Sequence, residues 1–142
     1  MGRKFVIGDI HGADKALAEC LEKVQFDFDH DLLICLGDFC DGWPGTFKVI
    51  ELLLKVQHLK VILGNHDHFF IEYIANKKPE DIWISQGGKN TLKDYSDGIP
   101  VHHQAFFNGL LPYFIDGSNN LYVHAGFDLN LPFNLQSKYN LI

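Results

Sequence analysis

Four short clusters in this chain hold residue types able to bind metal ions and move protons. They are Gly8-Asp9-Ile10-His11-Gly12, Gly37-Asp38-Phe39-Cys40-Asp41, Gly64-Asn65-His66-Asp67 and His124-Ala125-Gly126. Carboxylates, imidazoles and an amide together suit divalent cations that accept mixed nitrogen and oxygen donors. The glycines let the backbone turn sharply and come close to a ligand.

Each cluster follows a short apolar run: Phe5 to Ile7, Leu32 to Leu36, Leu59 to Leu63 and Leu121 to Val123. These runs read as buried strands, so the polar residues fall at strand C-terminal ends, where open α/β sheets place their sites. Between the strands, Ala13 to Val24 carries apolar residues at helical spacing (Ala16, Leu17, Cys20, Leu21, Val24). Thr46 to Gln57 is apolar on more than one face and predicts a well-buried helix. A βαβαβ order with right-handed crossovers and a mainly parallel sheet follows. Further helices are expected over Asp67 to Ala75, Lys89 to Tyr95 and Val101 to Leu111. Tyr113 to Ile115 and Asn120 to Val123 should pair around Asp116-Gly117-Ser118-Asn119.

The length of 142 residues suits one domain, 1–142, with 46% apolar residues to fill its core. A net charge of -6 argues against a broad nucleic-acid surface. No apolar run reaches the roughly 18 residues of a membrane span. Three cysteines do not make a disulfide framework and point to a reducing, cytoplasmic setting. Cys20 and Cys35 are expected to be packed. Cys40, inside the second cluster, reads as a small filler ahead of a redox-sensitive neighbour of the metals. The acidic stretch Phe26 to Asp31 reads as a solvated loop, since it lacks the spacing of a calcium loop.

The four motifs, in this order, resemble those of the calcineurin-like metallophosphoesterases. Nearest among these is the bacterial and phage branch of the serine/threonine phosphoprotein phosphatases. The stretch from Trp83 through Gly87-Gly88 to Thr91-Leu92, and Tyr95, adds to the resemblance. It implies an α/β sandwich of sheets flanked by helices, with two divalent metal ions, manganese first and iron or zinc as alternatives. It further implies that Asp9 and His11 hold one ion, Asp38 bridges, and Asn65 and His124 hold the other. His66 would be the general acid that protonates the leaving group, oriented by Asp41. The implied substrate is a phosphorylated protein or a small phosphate ester. Asp9 and His11 would alternate along an extended stretch and point the same way.

The chain departs from that pattern in two places. Where the family continues Asp-Arg-Gly, this sequence has Asp41-Gly42-Trp43, and the sole arginine is Arg3. No histidine follows His124, so the family's final Gly-His ligand is absent, as expected for an N-terminal portion of the domain. Asp67 stands where the protein phosphatases usually carry Glu. An Asp there is common in diadenosine tetraphosphatases, which makes a nucleotide hydrolase the alternative. A catalytically dead metal-binding module is the rival of another class. Trp43 could stack on a substrate ring or anchor a helix start. His30 and His58 read as loop residues, and His68, His102 and His103 match no motif. Of these, His102 or His103 could stand in for the missing ligand. An arginine at Gly42 should restore phosphate grip unless that residue needs a positive φ.

Overall fold

Strand β2 (Leu32–Cys35) lies between β1 (Lys4–Ile7) and β3 (His58–Val61), parallel to both, with Phe5, Leu33 and Leu59 in register. The structure, a computed structural model, describes residues 2–142. Leu33, Ile34 and Cys35 of β2 are all buried, as an unbroken apolar run in a central parallel strand should be. The flanking strands alternate exposed with half-buried residues, and Val6 of β1 is exposed. The expected βαβαβ order is present, with α1 (Asp14–Lys23) and α2 (Thr46–Leu53) as the crossovers.

After β3 the chain forms α3 (Asn65–Asn76), α4 (Asp81–Trp83), a kinked turn at Ile84–Gly88, α5 (Lys89–Asp94) and α6 (Val101–Asn108). An antiparallel hairpin of β4 (Phe114–Ile115) and β5 (Leu121–Tyr122) follows, turning through Asp116 to Asn119 as the sequence predicts. A 3-10 turn (Phe133–Leu135) and α7 (Lys138–Leu141) complete the order.

The core joins Leu17 and Leu21 of α1 and Val49, Ile50 and Leu53 of α2 to an aromatic block. In that block Phe70 meets Phe107 edge-on at 4.8 Å and Tyr95 nearly stacked at 5.1 Å. Each such buried side chain contributes about 1.5–3 kcal/mol. The hairpin is fastened to β1 by the Lys4–Asp116 ion pair.

Several expectations are corrected. Helix α2 stops at Leu53, and Val56 packs from a turn instead. Helix α3 starts two residues before Asp67, placing Asn65 and His66 in its first turn. Cys20 is exposed, because the face of α1 turned to the core is the i, i+4 row of Leu17 and Leu21 and Cys20 lies off it. His58 opens β3, whereas His30 is in a loop. The loop before β2 is not wholly solvated, because Asp31 is buried and binds the Arg3 guanidinium at 2.7 Å. That pairing commits the sole arginine to a structural role.

Candidate metal centre

The loops after β1, β2 and β3 meet at the C-terminal edge of the sheet. They are stitched together by backbone bonds: Ile10 and His11 N–H donate to Asp38 O (3.0 and 2.8 Å), and Trp43 N–H donates to His11 O (2.8 Å). Each tight turn carries a pair of left-handed residues: His11 with Gly12 (φ 48 and 67), Gly37 with Asp38 (110 and 52), and Asp41 with Gly42 (70 and 71). Positive φ outside glycine is uncommon, with Asp and His among the more tolerant types, and it clusters at functional sites. The bend at His11 replaces the extended alternation expected between Asp9 and His11. At Gly64 the constraint is close approach, since a Cβ there would lie 2.1 Å from Asp38 Oδ1.

Asp38 is the hub. Its Oδ2 lies 3.6 Å from His11 Nε2 and 3.5 Å from His124 Nε2. His124 Nε2 is also 3.1 Å from Asn65 Oδ1. Two ligand-type groups share this carboxylate, His11–Asp38–His66 and Asp9–Asp38–His124. All seven residues singled out in the sequence, counting Asp41, therefore meet at one edge. The grouping differs in two respects from that implied by resemblance, because Asp9 is gathered with His124, and His66 with His11.

The donors are prepared for cations. His11 Nδ1 donates to Cys40 O (3.0 Å) and His124 Nδ1 to Leu36 O (2.8 Å), which turns the other ring nitrogen, Nε2, of each toward Asp38. Among the described residues, the ion pairs of Asp9 and Asp38 are to histidines, with no Lys or Arg. Convergent carboxylates and imidazoles, with no Lys or Arg paired to them, fit divalent metals.

His66 is set differently. Its Nδ1 donates to Asp41 Oδ2 at 2.8 Å, and this bond raises the imidazole's proton affinity above its ordinary value. Asp41 is fully buried and held by two further donors, Trp83 Nε1 on Oδ2 (2.7 Å) and Thr91 Oγ1 on Oδ1 (2.6 Å). The Trp83 to Thr91 segment, read in the sequence only as a family marker, is thus the support of the His66–Asp41 pair. Gly87 packs so tightly on this loop that a Cβ would lie 2.6 Å from Gly42 N.

Asp67 also has a role the sequence did not disclose. Its carboxylate accepts N–H bonds from Asp38 (2.7 Å), Phe39 (2.8 Å) and Gly64 (3.1 Å), tying the second motif to the third. Burial, with the nearby Asp38 charge, pushes its pKa up to about 7 against those three bonds. The fully buried Cys40 Sγ lies 3.6 Å from Asp67 Oδ1, and burial pushes its thiol up, away from redox reactivity. The filler reading of Cys40 fits that burial.

The family profile of the calcineurin-like phosphoesterases matches residues 3–141. The chain belongs to that family. It is 34% identical over 77 residues to a symmetrical bis(5'-nucleosyl)-tetraphosphatase of Coxiella burnetii, covering 54% of this chain and 26% of the relative. It is 29% identical over 101 residues to serine/threonine-protein phosphatase 1 of Salmonella typhimurium, covering 71% of this chain and 44% of the relative. A crystal structure of a protein provisionally described as a diadenosine tetraphosphatase superposes with a TM-score of 0.79 at 26% identity, over 99% of this chain and 57% of that one. The chain therefore spans less than half the length of these two curated relatives.

Within this calcineurin-like frame, the phosphate-clamping arginine has no local substitute at Gly42. Its φ is 71, and a Cβ there would lie 3.1 Å from His11 Cβ, so an arginine would strain the turn. The expectation that His102 or His103 joins the ligands around Asp38 is not met. Both converge on Glu51, outside the groups that share Asp38. His68 lies half-buried on α3, three residues beyond Asn65. Among the described residues, no helix is long and apolar enough to cross a membrane.

Proposed function

We propose that this chain carries a phosphate-ester hydrolysis site in which Asp9, His11, Asp38, Asn65 and His124 hold two divalent metal ions. Bound metals would supply charge neutralisation of the phosphoryl group and a water of lowered pKa. Asp38 links both ligand groups, and the carbonyl bonds to His11 and His124 hold their tautomers. His66 is the general acid: Asp41 holds the Nδ1–H and favours the imidazolium, whose Nε2–H is the proton passed to the leaving oxygen. Asp41 acts as a positioning residue.

The observation that carries this reading is the 2.8 Å His66–Asp41 bond beside a metal-ready carboxylate. A general acid contributes about 10²–10⁴-fold to rate. The test is Mn²⁺-dependent hydrolysis of aryl phosphates of graded leaving-group pKa, with parent protein and His66→Ala. Loss confined to poor leaving groups supports the role. Equal loss on all esters removes it, and no metal-dependent turnover at all would favour the dead metal-binding module.

For the substrate, one observation favours a nucleoside polyphosphate over a phosphoprotein. Trp43 is 68% exposed and lines a groove of about 460 Å³ with Ala13, Ala16 and Pro44. Its backbone N–H bonds to His11 O, so the groove adjoins the metal loops. An exposed indole beside this groove, which Asp14 and Lys15 also line, offers a stacking face for a base, whereas a phosphopeptide needs no such face. Trp43→Ala should raise KM for diadenosine tetraphosphate and leave KM for an aryl phosphate unchanged. A parallel rise for both, or a preference for phosphopeptide in the parent, would return the reading to a phosphoprotein phosphatase.

A further inference from the structure

Away from the catalytic loops, α6 brings two adjacent histidines onto one carboxylate of α2. His102 Nε2 lies 2.7 Å from Glu51 Oε1, and His103 Nε2 lies 2.8 Å from the same oxygen. One potential donor atom from each residue falls within 4.8 Å of the other two. We propose that Glu51, His102 and His103 form a second metal site, specific for Zn²⁺ or a similar borderline cation and separate from the phosphoesterase centre.

The donor set and access fit. Two imidazoles and one carboxylate, with water in the fourth place, match an open tetrahedral zinc site. Ligand atoms around such an ion, with bonds of about 2.0–2.2 Å, stand roughly 3.3 Å apart. The two nitrogen–oxygen distances, 2.7 and 2.8 Å, therefore need to lengthen by only about half an ångström. The side chains of His102 and Glu51 are 57% and 44% exposed, and that of His103 is fully buried behind them. The ion thus has an open side and a fixed back wall.

The back wall is itself oriented. His103 Nδ1 lies 2.8 Å from the Tyr95 hydroxyl, and Tyr95 stacks on Phe70 in the core. A tyrosine hydroxyl both donates and accepts. It can therefore donate to Nδ1 when Nε2 carries the proton, and accept from Nδ1 when a metal takes Nε2. Without metal, the same three residues form a hydrogen-bonded bridge between α2 and α6.

The test separates this site from the first. In the Asp9→Asn/Asp38→Asn protein, Zn²⁺ titrated by calorimetry should still give one step near one equivalent. Adding Glu51→Gln and His102→Ala, both at exposed side chains, should weaken that step at least tenfold. Tyr95→Phe keeps the ring stacking but removes the hydroxyl, and should weaken it about 10–100-fold, as loss of an orienting partner does. Melting temperature without metal checks that each variant is folded. The proposal fails if the Asp9→Asn/Asp38→Asn protein shows no zinc step, or if the step survives loss of Glu51 and His102 unchanged. Neither result touches the phosphoesterase reading, which rests on different residues.

Discussion

Trp83 and His66 share one oxygen: the indole N–H of Trp83 and the Nδ1–H of His66 both end on Asp41 Oδ2, at 2.7 and 2.8 Å. With Thr91 on the other oxygen, both oxygens of the buried Asp41 are hydrogen-bonded. A residue pair that looks like simple acid and helper is a four-residue assembly.

Thr91→Val tests that assembly. The change keeps shape but deprives Asp41 of a donor to Oδ1 and an acceptor for its N–H. Two buried polar groups left unpaired should cost about 2–4 kcal/mol, visible as a lower melting temperature. If the chain is active, kcat for esters with poor leaving groups should fall roughly tenfold or more, within the range a general acid supplies. Activated aryl phosphates should be less affected. An unchanged melting temperature would mean that water replaces the hydroxyl.

Asp38→Asn should separate stability from metal binding. Asp38 stands in both ligand groups at the strand ends, so Mn²⁺ titration should lose both steps of that centre and any hydrolysis should vanish. In chelator, however, the variant should melt above the parent, because Asp38 raises the pKa of buried Asp67 by repulsion. The Asn oxygen can still accept from His66 N–H as Asp38 Oδ1 does. A lower melting temperature in chelator would show that the two carboxylates are not in conflict.

Gly42→Arg should not restore phosphate grip. Placing a side chain at φ 71 costs about 1–2 kcal/mol, so the melting temperature should drop while kcat/KM stays level or falls. A gain in kcat/KM with parent-like stability would show that the turn can relax.

The Arg3–Asp31 pair sets an acid limit. The guanidinium holds the Asp31 carboxyl at about 2, below its ordinary value. A lowered carboxylate pKa stabilises the fold above the unfolded value near 4, and this contribution is lost as pH falls from about 4 to about 2. Asp31→Asn should therefore melt below the parent at pH 7, and the two curves should converge near pH 2. A constant difference at every pH would assign the effect to packing.

The amino-acid sequence by itself determined the parallel βαβαβ order, the place of the site at strand ends and the seven residues gathered there. These were legible because local apolar runs mark the strands, and each polar residue stands within a few positions of its run. Trp83 and Thr91 were another matter. They lie 42 and 50 residues from Asp41, and only the packing of α4 and α5 over the second loop brings them to it. The left-handed turns at His11, Asp38 and Asp41 were hidden for a related reason, since their backbone is held by bonds between loops and not by local preference. Glu51, His102 and His103 carry no motif spacing at all. Their meeting is a product of helix crossing, because hydrophobic burial of α2 and α6 decides which polar edges face each other, and sequence distance does not record it.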